Sequence, residues 1–440
     1  MYQAINIEKF FKPAIQKTST LVRRGKVKKV VGLVLESEGP KAPIGEICEL
    51  RNKYGELIAL AEIVGFRDDR ILSMVLGETN DIEPSTEIIA TGKSLSVGVG
   101  DKLLGRVIDG LGRPLDGKAE VSIEQKRSIY AVPPNPLLRK RISEPISTGI
   151  KAVDGLLTLA KGQRVGIFAG SGVGKSTLIG TIARNTSADI NVIALIGERG
   201  REVREFIEKD LKQEGLDRSI VVVATSDVPP LIRVKAALTA TTIAEYFRDK
   251  GLDVMLMMDS VTRLAMAQRE VGLSIGEPPT TRGYTPSVFT ILQKTLERAG
   301  TSEKGTITGI YTVLVEGDDM NEPIADTTRG ILDGHIVLSR KLASLAHYPA
   351  IDVLESISRC RSDVVSKEHL DAAKKIQELL AVYKSAEDLI NVGAYQKGSN
   401  PQIDKAIERI EIINSFLKQG LDERNDYHEI VNKVIEISKM

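Results

Sequence analysis

The most specific chemistry in this sequence lies in eight consecutive residues: Ala169, Gly170, Ser171, Gly172, Val173, Gly174, Lys175 and Ser176. They follow the apolar run 165–168 and precede an amphipathic run that begins at Thr177, which predicts a strand, a tight loop and a helix start. Glycines let the backbone approach a polyanion, so that successive N–H groups and the helix N-terminus face phosphate oxygens. We predict that residues 170–177 bind a nucleoside triphosphate, with Lys175 on its β- and γ-phosphates and Ser176 on Mg²⁺.

Two acidic residues after apolar runs meet the other demands of phosphoryl transfer to water. Asp259 ends the run 254–258, and Glu198 follows the run 192–196. Because α/β sheets present ligands at the carboxyl ends of their strands, both carboxylates are expected beside the phosphate loop. We predict that Asp259 holds Mg²⁺ indirectly, through the water molecules bound to the ion, and that Glu198 orients or deprotonates the attacking water. The alternatives are a helix N-cap for Asp259 and, for Glu198, a surface ion-pair strip with the charged residues at 199–204.

The pattern along the chain predicts the elements that position these residues. Short β-branched runs broken by Gly and Pro between residues 27 and 95 predict a small β-barrel or sandwich, of which we expect the barrel. Residues 96–147, rich in Gly and Pro, predict turns and a connecting segment. From 148 to 365, apolar strands alternate with helical segments, which predicts an α/β domain with a mostly parallel sheet. From 366 to 440, apolar residues recur at helical spacing behind Ser366 as an N-cap, which predicts a C-terminal α-helical domain.

Composition excludes several classes of protein. A chain of 440 residues with 42% apolar residues can bury two or three cores, because single domains rarely exceed ~250 residues. Sixty basic against 59 acidic residues leave no strong field for wrapping nucleic acid. Cys48, Cys360 and four His residues show neither a disulfide framework nor metal-ligand spacing. Without a signal peptide or an apolar membrane span, we expect a cytoplasmic chain.

Further stretches resemble the rotary ATPase superfamily, and within it the flagellum-specific ATPases of type III export. The stretches that resemble the catalytic set of the superfamily are 197–202, 259–263, 348–352 and 356–359. The stretches that resemble the flagellum-specific branch are 105–117, 134–137, 276–284 and 322–335. The resemblance covers about residues 27–395 and implies a multidomain chain with a RecA-like P-loop ATPase domain. It also implies Mg²⁺-dependent ATP hydrolysis by a homohexameric ring that energises the export of flagellar proteins.

The resemblance also implies roles for single residues. It places Arg199 beside the phosphates and Arg359 across a subunit boundary, in the neighbour's nucleotide site, where such a finger accelerates hydrolysis by ~10³ to 10⁵. Tyr348 would stack on adenine, with Tyr395 as a second candidate. The alternatives are an intrachain salt bridge for Arg359 and ordinary packing for both tyrosines. The segment 272–289 is expected to be an exposed loop that faces the ring pore and contacts export substrates or a stalk-like subunit.

The implied partners are regulatory and stalk-like proteins, an export gate and chaperone–cargo complexes at the inner face of the cell membrane. Residues 1–26 are expected to bind a partner or the membrane surface through a short amphipathic helix, with a frayed terminus as the alternative. The competing functions are the ATPase of a virulence injectisome, a nucleic-acid translocase ring and a regulatory subunit of a rotary synthase. The near-neutral charge and the lack of a base-stacking aromatic cluster disfavour specific binding of nucleic acid.

Overall fold

The chain is described here as a computed structural model that covers residues 22–315, 317 and 319–440. These residues form two compact units. One contains the described residues up to 95 together with 274–276, and the other contains 96–273 and 277–440. Most of the predicted partner-binding segment 1–26, including Phe10, Phe11 and Ile15 of the expected amphipathic helix, lies outside the described residues.

Six antiparallel strands close a barrel in the first unit, in the order β1-β2-β5-β4-β3-β6. Apolar side chains from these strands fill the interior, where Leu35, Leu50 and Ile63 are fully buried. The predicted N-terminal β-barrel is therefore confirmed. Its strands are β1 Arg24–Val31, β2 Val34–Glu38, β3 Glu46–Arg51, β4 Leu57–Arg67, β5 Arg70–Val75 and β6 Glu87–Ser94.

A mostly parallel sheet forms the centre of the second unit, in the order β19-β18-β12-β17-β15-β13-β14-β8. Only β19, which runs antiparallel to β18, and the short β16, which pairs antiparallel with β17, depart from the parallel arrangement among the described strands of this sheet. The predicted α/β core is therefore confirmed. The strands of this unit are β7 Ser96–Val99, β8 Arg106–Asp109, β9 Gln125–Ser128, β10 Pro145–Ile146, β11 Leu159–Ala160, β12 Arg164–Ala169, β13 Ile190–Ile196, β14 Ser219–Ala224, β15 Asp253–Asp259, β16 Gly300–Thr301, β17 Thr306–Leu314, β18 Gly334–Leu338 and β19 Ile351–Ser358.

One strand of this sheet comes from the segment 96–147, which the sequence predicts only as turns and a connection. β8 pairs in parallel with β14, and Val107 lies opposite Val221. The apolar part of β8 is limited to Val107 and Ile108 between glycine-rich turns. Such a short run carries no period from which a strand can be predicted.

Helices cover the sheet. The helix Pro230–Asp249, between β14 and β15, is buried along most of its length and packs against β13, β14 and β15. The predicted loop 272–289 is shorter than expected, because α5 continues to Ser274 and α6 begins at Pro286, a favoured first helical residue. The helices are α1 Lys175–Asn185, α2 Gly200–Glu205, α3 Lys212–Asp217, α4 Pro230–Asp249, α5 Val261–Ser274, α6 Pro286–Leu296, α7 Pro323–Ile331, α8 Arg340–Ser344, α9 Arg361–Val364, α10 Lys367–Asn391, α11 Pro401–Leu417 and α12 Tyr427–Lys439.

The last three helices form the predicted C-terminal helical part, which is confirmed. Ser366 caps α10 by accepting a hydrogen bond from the backbone N–H of His369. Ile376, Phe416 and Val434 from these helices share one buried core with the sheet. None of the helices in the described ranges combines the length and the apolar character that crossing a membrane requires.

Candidate active site

The predicted phosphate loop is the turn between the end of β12 and the start of α1. Gly172 and Gly174 have φ angles of 78° and 89°, in the left-handed region that residues with a Cβ rarely adopt. Gly170 has no room for a side chain, since a Cβ there would lie 2.5 Å from the Arg340 guanidinium. The glycines thus permit a loop that ends at the N-terminus of α1, whose first N–H groups have no partner within the helix.

Lys175, the first residue of α1, lies between two carboxylates. Its Nζ is 2.5 Å from Asp259 Oδ1 and 3.9 Å from Glu198 Oε1. Asp259 ends β15 and Glu198 follows β13, and these neighbouring parallel strands end at the same edge of the sheet as β12. All three side chains are mostly buried. The structure therefore brings together three residues that the sequence predicts for phosphoryl transfer.

Asp259 is held by a further residue that sequence reasoning missed. Thr312 Oγ1, on β17, donates a hydrogen bond of 2.8 Å to Asp259 Oδ1. Thr312 is fully buried, and a buried hydroxyl requires a partner. The available signal in the sequence is this one polar side chain near the end of an apolar strand that neighbours β15.

The pKa of Glu198 is raised to about 7, first by burial and then by the negative charge of Asp259. Lys175 and Arg263 act in the opposite direction on the pKa of Glu198. Arg263 lies close to Glu198. A Cβ added at Gly197, the residue before Glu198, would be 3.0 Å from the Cβ of Arg263. A carboxylate with a pKa near neutrality is suited to accept a proton at physiological pH.

The charged residues that follow Glu198 form the ion-pair strip that the sequence leaves open as an alternative. Arg199 bonds Glu202, with 3.1 Å between its Nη1 and Oε1, and its side chain is 80% exposed. Further pairs join Arg201 to Glu205 and Arg204 to Glu208. Glu198 is buried beside Lys175, and its carboxyl group also hydrogen-bonds the Glu202 side chain at the start of this strip. A contact between Arg199 and phosphate remains a prediction.

A cavity of about 350 Å³ adjoins the phosphate loop. Its wall contains Val173, Gly174 and Thr177 from the loop side and Tyr348 from the segment before β19. Tyr348 is half-exposed, so that its ring is accessible to a ligand. An apolar cavity beside a phosphate loop suits a flat aromatic base.

The C-terminal part also supplies a wall of this cavity. Gln419 lies in it, together with Gly420 and Leu421, and the Gln419 backbone N–H donates to the Tyr348 carbonyl at 2.9 Å. No sequence pattern indicates this wall, because it depends on how the helices fold back onto the sheet.

Tyr395 lies in the loop between α10 and α11 and does not line the cavity that contains Tyr348. Its hydroxyl donates to Asp404 Oδ1 at 2.9 Å and lies 3.0 Å from the Asn400 carbonyl. These contacts are those of the structural role that the sequence leaves open for Tyr395. An adenine contact for Tyr395 remains a prediction.

Arg359 directly follows β19 at the edge of the sheet opposite to the phosphate loop. The reason is topological: β19 runs antiparallel to β18, so its carboxyl end lies where the parallel strands begin. The Arg359 backbone N–H donates to the Asp333 carbonyl at 3.0 Å. Its side chain is exposed. Within the described ranges, its guanidinium has no ion pair of the kind that the intrachain alternative requires.

The donor set at the loop suits Mg²⁺ held jointly by protein and phosphates. Among the residues that the structure describes, no group of three or more His, Cys, Asp or Glu side chains could hold a metal ion alone. Mg²⁺ sites in phosphate-binding enzymes need only one or two protein ligands, the rest coming from phosphates and water. Ser176, in the first turn of α1, would supply one such ligand, and Asp259 would hold the water bound to the ion.

Family models match three consecutive parts of the chain. The beta-barrel domain of the ATP synthase alpha/beta family matches residues 27–92, and the nucleotide-binding domain of the same family matches 149–358. The model described as the C-terminal domain of the type III secretion ATPase EscN matches 365–436.

Curated relatives are similar over nearly the whole chain. The flagellum-specific ATP synthase of Bacillus subtilis is 60% identical, covering 93% of this chain and 94% of that protein. The type 3 secretion system ATPase of Xanthomonas euvesicatoria is 51% identical, covering 94% of each. The assembled ATPase EscN of enteropathogenic E. coli superimposes with a TM-score of 0.87 at 46% identity, covering 94% of this chain and 100% of that one. The chain is therefore an ATPase that belongs to the flagellum-specific and type III secretion branch of the ATP synthase alpha/beta family.

Proposed function

We propose that this chain is a Mg²⁺-dependent ATPase, works as one subunit of a homohexameric ring, and energises export of flagellar proteins through a type III apparatus. The observation that carries the hydrolytic part is the cluster of Lys175, Asp259 and Glu198 at the mouth of the phosphate loop, with 2.5 Å and 3.9 Å from the lysine Nζ to the two carboxylates. Family membership supports ATP as the substrate.

The chain's own groups bind and orient ATP. Backbone N–H groups of residues 170–177 bind the phosphates, and Tyr348 stacks on the adenine. Lys175 leaves Asp259 for the β- and γ-phosphates, and the Asp259 carboxylate would then be available, together with Ser176, to hold Mg²⁺. Mg²⁺, when bound, neutralises charge that develops on the transferring phosphoryl group.

Glu198 acts on the attacking water. Its carboxylate accepts a proton as the bond between the water oxygen and the γ-phosphorus forms and the bond to the β-phosphate oxygen of the ADP leaving group breaks. The raised pKa of Glu198, about 7, favours this transfer near neutral pH.

Arg359 acts in trans, in the nucleotide site of the neighbouring subunit. Its own phosphate loop lies at the other end of β12, which is six residues long and therefore separates its ends by about 20 Å. An arginine side chain does not span that distance, whereas an exposed guanidinium at the far edge is available to a second copy. The finger contributes about 10³ to 10⁵ in rate.

The test of this proposal is a mixing experiment. Lys175→Ala and Arg359→Ala are each expected to be nearly inactive alone, because one lacks the phosphate ligand and the other lacks the finger. When the two are mixed under conditions that assemble rings, some interfaces combine an intact phosphate loop with an intact finger, so activity should return. Absence of rescue in rings that mass measurement shows to be mixed would overturn action in trans.

The export system is proposed from the relatives. Proteins named for flagella and for type 3 secretion both match over most of the chain. An injectisome ATPase is therefore the second candidate, and the 60% identity to the Bacillus subtilis flagellar protein favours the first.

EscN has been solved with its central stalk EscO, which supports a stalk-like partner, contacted by the loop between α5 and α6. We further propose regulatory proteins, an export gate and chaperone–cargo complexes as partners, at the cytoplasmic face of the membrane. Affinity purification of the tagged full chain from cell extract distinguishes flagellar from injectisome components.

A further inference from the structure

The segment 132–138 exposes apolar side chains to an unusual degree. Leu137 is 93% exposed and Val132 is 85% exposed, the highest values among the large apolar residues of the described chain. Leu138 beside them is 54% exposed. Three exposed apolar side chains within seven residues make this segment, which we call the proline turn, a candidate interaction surface.

The proline turn is held in one shape before any partner arrives. Asn135 caps the 3-10 turn Pro136–Leu138, because its Oδ1 accepts the Leu137 N–H at 3.0 Å and its carbonyl accepts the Leu138 N–H at 3.0 Å. Prolines at 133, 134 and 136 restrict the backbone further. A binding segment that is already ordered loses little conformational entropy when it docks.

Both ends of the proline turn are anchored to the second unit. On one side the Ile129 carbonyl accepts a hydrogen bond of 2.8 Å from Arg298. On the other side Arg139 donates to the carbonyls of Glu297 and Ala299 at 2.6 Å and 2.9 Å. The exposed leucine and valine are thus carried by a rigid loop with buried supports.

A chain of ion pairs places this loop on the same edge of the sheet as Arg359. The Glu297 carboxylate, next to Arg139, lies 2.7 Å from Arg164 at the start of β12. Arg164 also pairs with Asp333 at 3.0 Å, and the Asp333 carbonyl accepts the Arg359 N–H. The turn and the proposed finger therefore belong to one face.

We propose that the proline turn docks on a second copy of this chain and forms the apolar part of the interface that places Arg359 in the neighbour's nucleotide site. This inference rests on the proposed function, since a finger acting in trans requires the neighbour to cover the Arg359 face. A surface next to the finger is then covered by the same neighbour, whose contacting residues lie on the edge that carries its phosphate loop. A ring of identical subunits needs two different faces of this kind.

Site-specific crosslinking identifies the occupant. Benzoylphenylalanine is incorporated in place of Leu137, and this chain is mixed with isotopically heavy copies, loaded with a non-hydrolysable ATP analogue and irradiated. Crosslinked peptides that join light to heavy chains, with the heavy peptide from the phosphate-loop edge, are the expected result. Crosslinks to residues of the same copy, such as 1–21 or the barrel, would overturn the proposal.

Assembly measurements separate this inference from the proposed function. Combined Val132→Ser and Leu137→Ser substitutions should raise the protein concentration needed for half-maximal assembly by about tenfold or more, because two apolar side chains no longer become buried. Val392→Ser, which removes an exposed apolar side chain away from the proline turn (76% exposed), is the control and should leave assembly unchanged. Both variants should bind nucleotide with the wild-type affinity as single subunits, which would show that they are folded.

Each outcome decides a different statement. If rings assemble and the Lys175→Ala and Arg359→Ala mixture regains activity while the proline-turn variant assembles like wild type, the docking surface is wrong and the proposed function stands. If the wild-type protein forms no rings at any nucleotide concentration, both the proposed ring and the proposed docking surface are wrong.

Discussion

Lys175 forms an ion pair with Asp259, and this pair affects the charge of the neighbouring carboxyl group of Glu198. Its ammonium group is paired with Asp259, and its Nζ lies 3.9 Å from Glu198 Oε1. One positive charge therefore faces two carboxyl groups. Burial first, and then the negative charge of Asp259, raises the pKa of Glu198 to about 7. The charges of Lys175, Asp259 and Glu198, to which we assign phosphate binding, metal binding and proton transfer, therefore depend on one another.

The pH dependence of kcat/KM should report Glu198 in the free enzyme. Its pKa is raised above the ordinary value of 4.5 to about 7, so the carboxylate becomes protonated and inactive as the pH falls through about 7. Below that point kcat/KM should fall about tenfold per pH unit. Glu198→Gln should lower kcat by about 10² to 10⁴, leave ATP binding intact and abolish this pH limb, whereas the exposed-site control Glu208→Gln should retain it. Loss of ATP binding in Glu198→Gln would contradict the role in activating water.

Thr312 should matter for the use of Mg²⁺. Thr312→Val removes the 2.8 Å hydrogen bond to Asp259, and loss of a hydrogen bond to a charged group costs about 1.5–3 kcal/mol. We expect the Mg²⁺ concentration for half-maximal hydrolysis to rise by about 10- to 100-fold, measured by titration at saturating ATP. Thr312→Ser, which keeps the hydroxyl, should behave like wild type. An unchanged Mg²⁺ requirement in folded Thr312→Val would mean that Asp259 is oriented without this contact.

At the scale of elements, local patterns predict more of the structure than relations between distant strands. The phosphate loop and the strand that ends at Asp259 are visible in the sequence because apolar runs and glycines lie within a few residues of each other. The position of Arg359 is not visible, since it depends on the reversal of β19 against β18. Thr312 and the cavity wall at Gln419 also depend on contacts between distant segments. The strip at 199–204 shows the opposite case, in which spacing alone predicts the ion pairs.

The packing of α12 against the segment Val153–Leu157 offers a test at this scale. A Cβ added at Gly155 would lie 2.9 Å from Val434 Cγ2 and 3.2 Å from Ile430 Cγ2. Gly155→Ala should therefore destabilise the second unit by about 1–3 kcal/mol through overpacking, seen as a lower Tm in calorimetry. Val434→Ala opens space for the new methyl group, so the double variant should lose less than the sum of the two single losses. Strict additivity would mean that the two residues are not in contact.

At the scale of the whole molecule, the residues that we assign to catalysis lie at two opposite edges of the sheet. One edge carries the phosphate loop with Lys175, Asp259 and Glu198, and the other carries Arg359 and the proline turn. A single copy therefore carries the phosphate loop and Arg359 at opposite ends of β12. With Arg359 acting in trans, as proposed above, activity becomes a property of the assembly.

Specific activity should consequently depend on protein concentration. On dilution below the assembly threshold, the rate per subunit should fall by a factor approaching the 10³ to 10⁵ contribution of the finger, measured by ATPase assay with mass photometry at the same concentrations. Arg359→Ala should show a low rate that does not change with concentration, which makes it the internal control. A dilute wild-type monomer with undiminished turnover would show that each copy completes its own site.

The side chain of Gln419 ties the base cavity to the C-terminal helices. Its amide accepts from the Lys151 N–H at 2.9 Å and donates to the Gly149 carbonyl at 2.7 Å, while its backbone donates to Tyr348. These three bonds join the C-terminal helices to the wall of the cavity in which we propose that adenine binds. Under that proposal, a partner that displaces α11 or α12 would change the nucleotide affinity through Gln419.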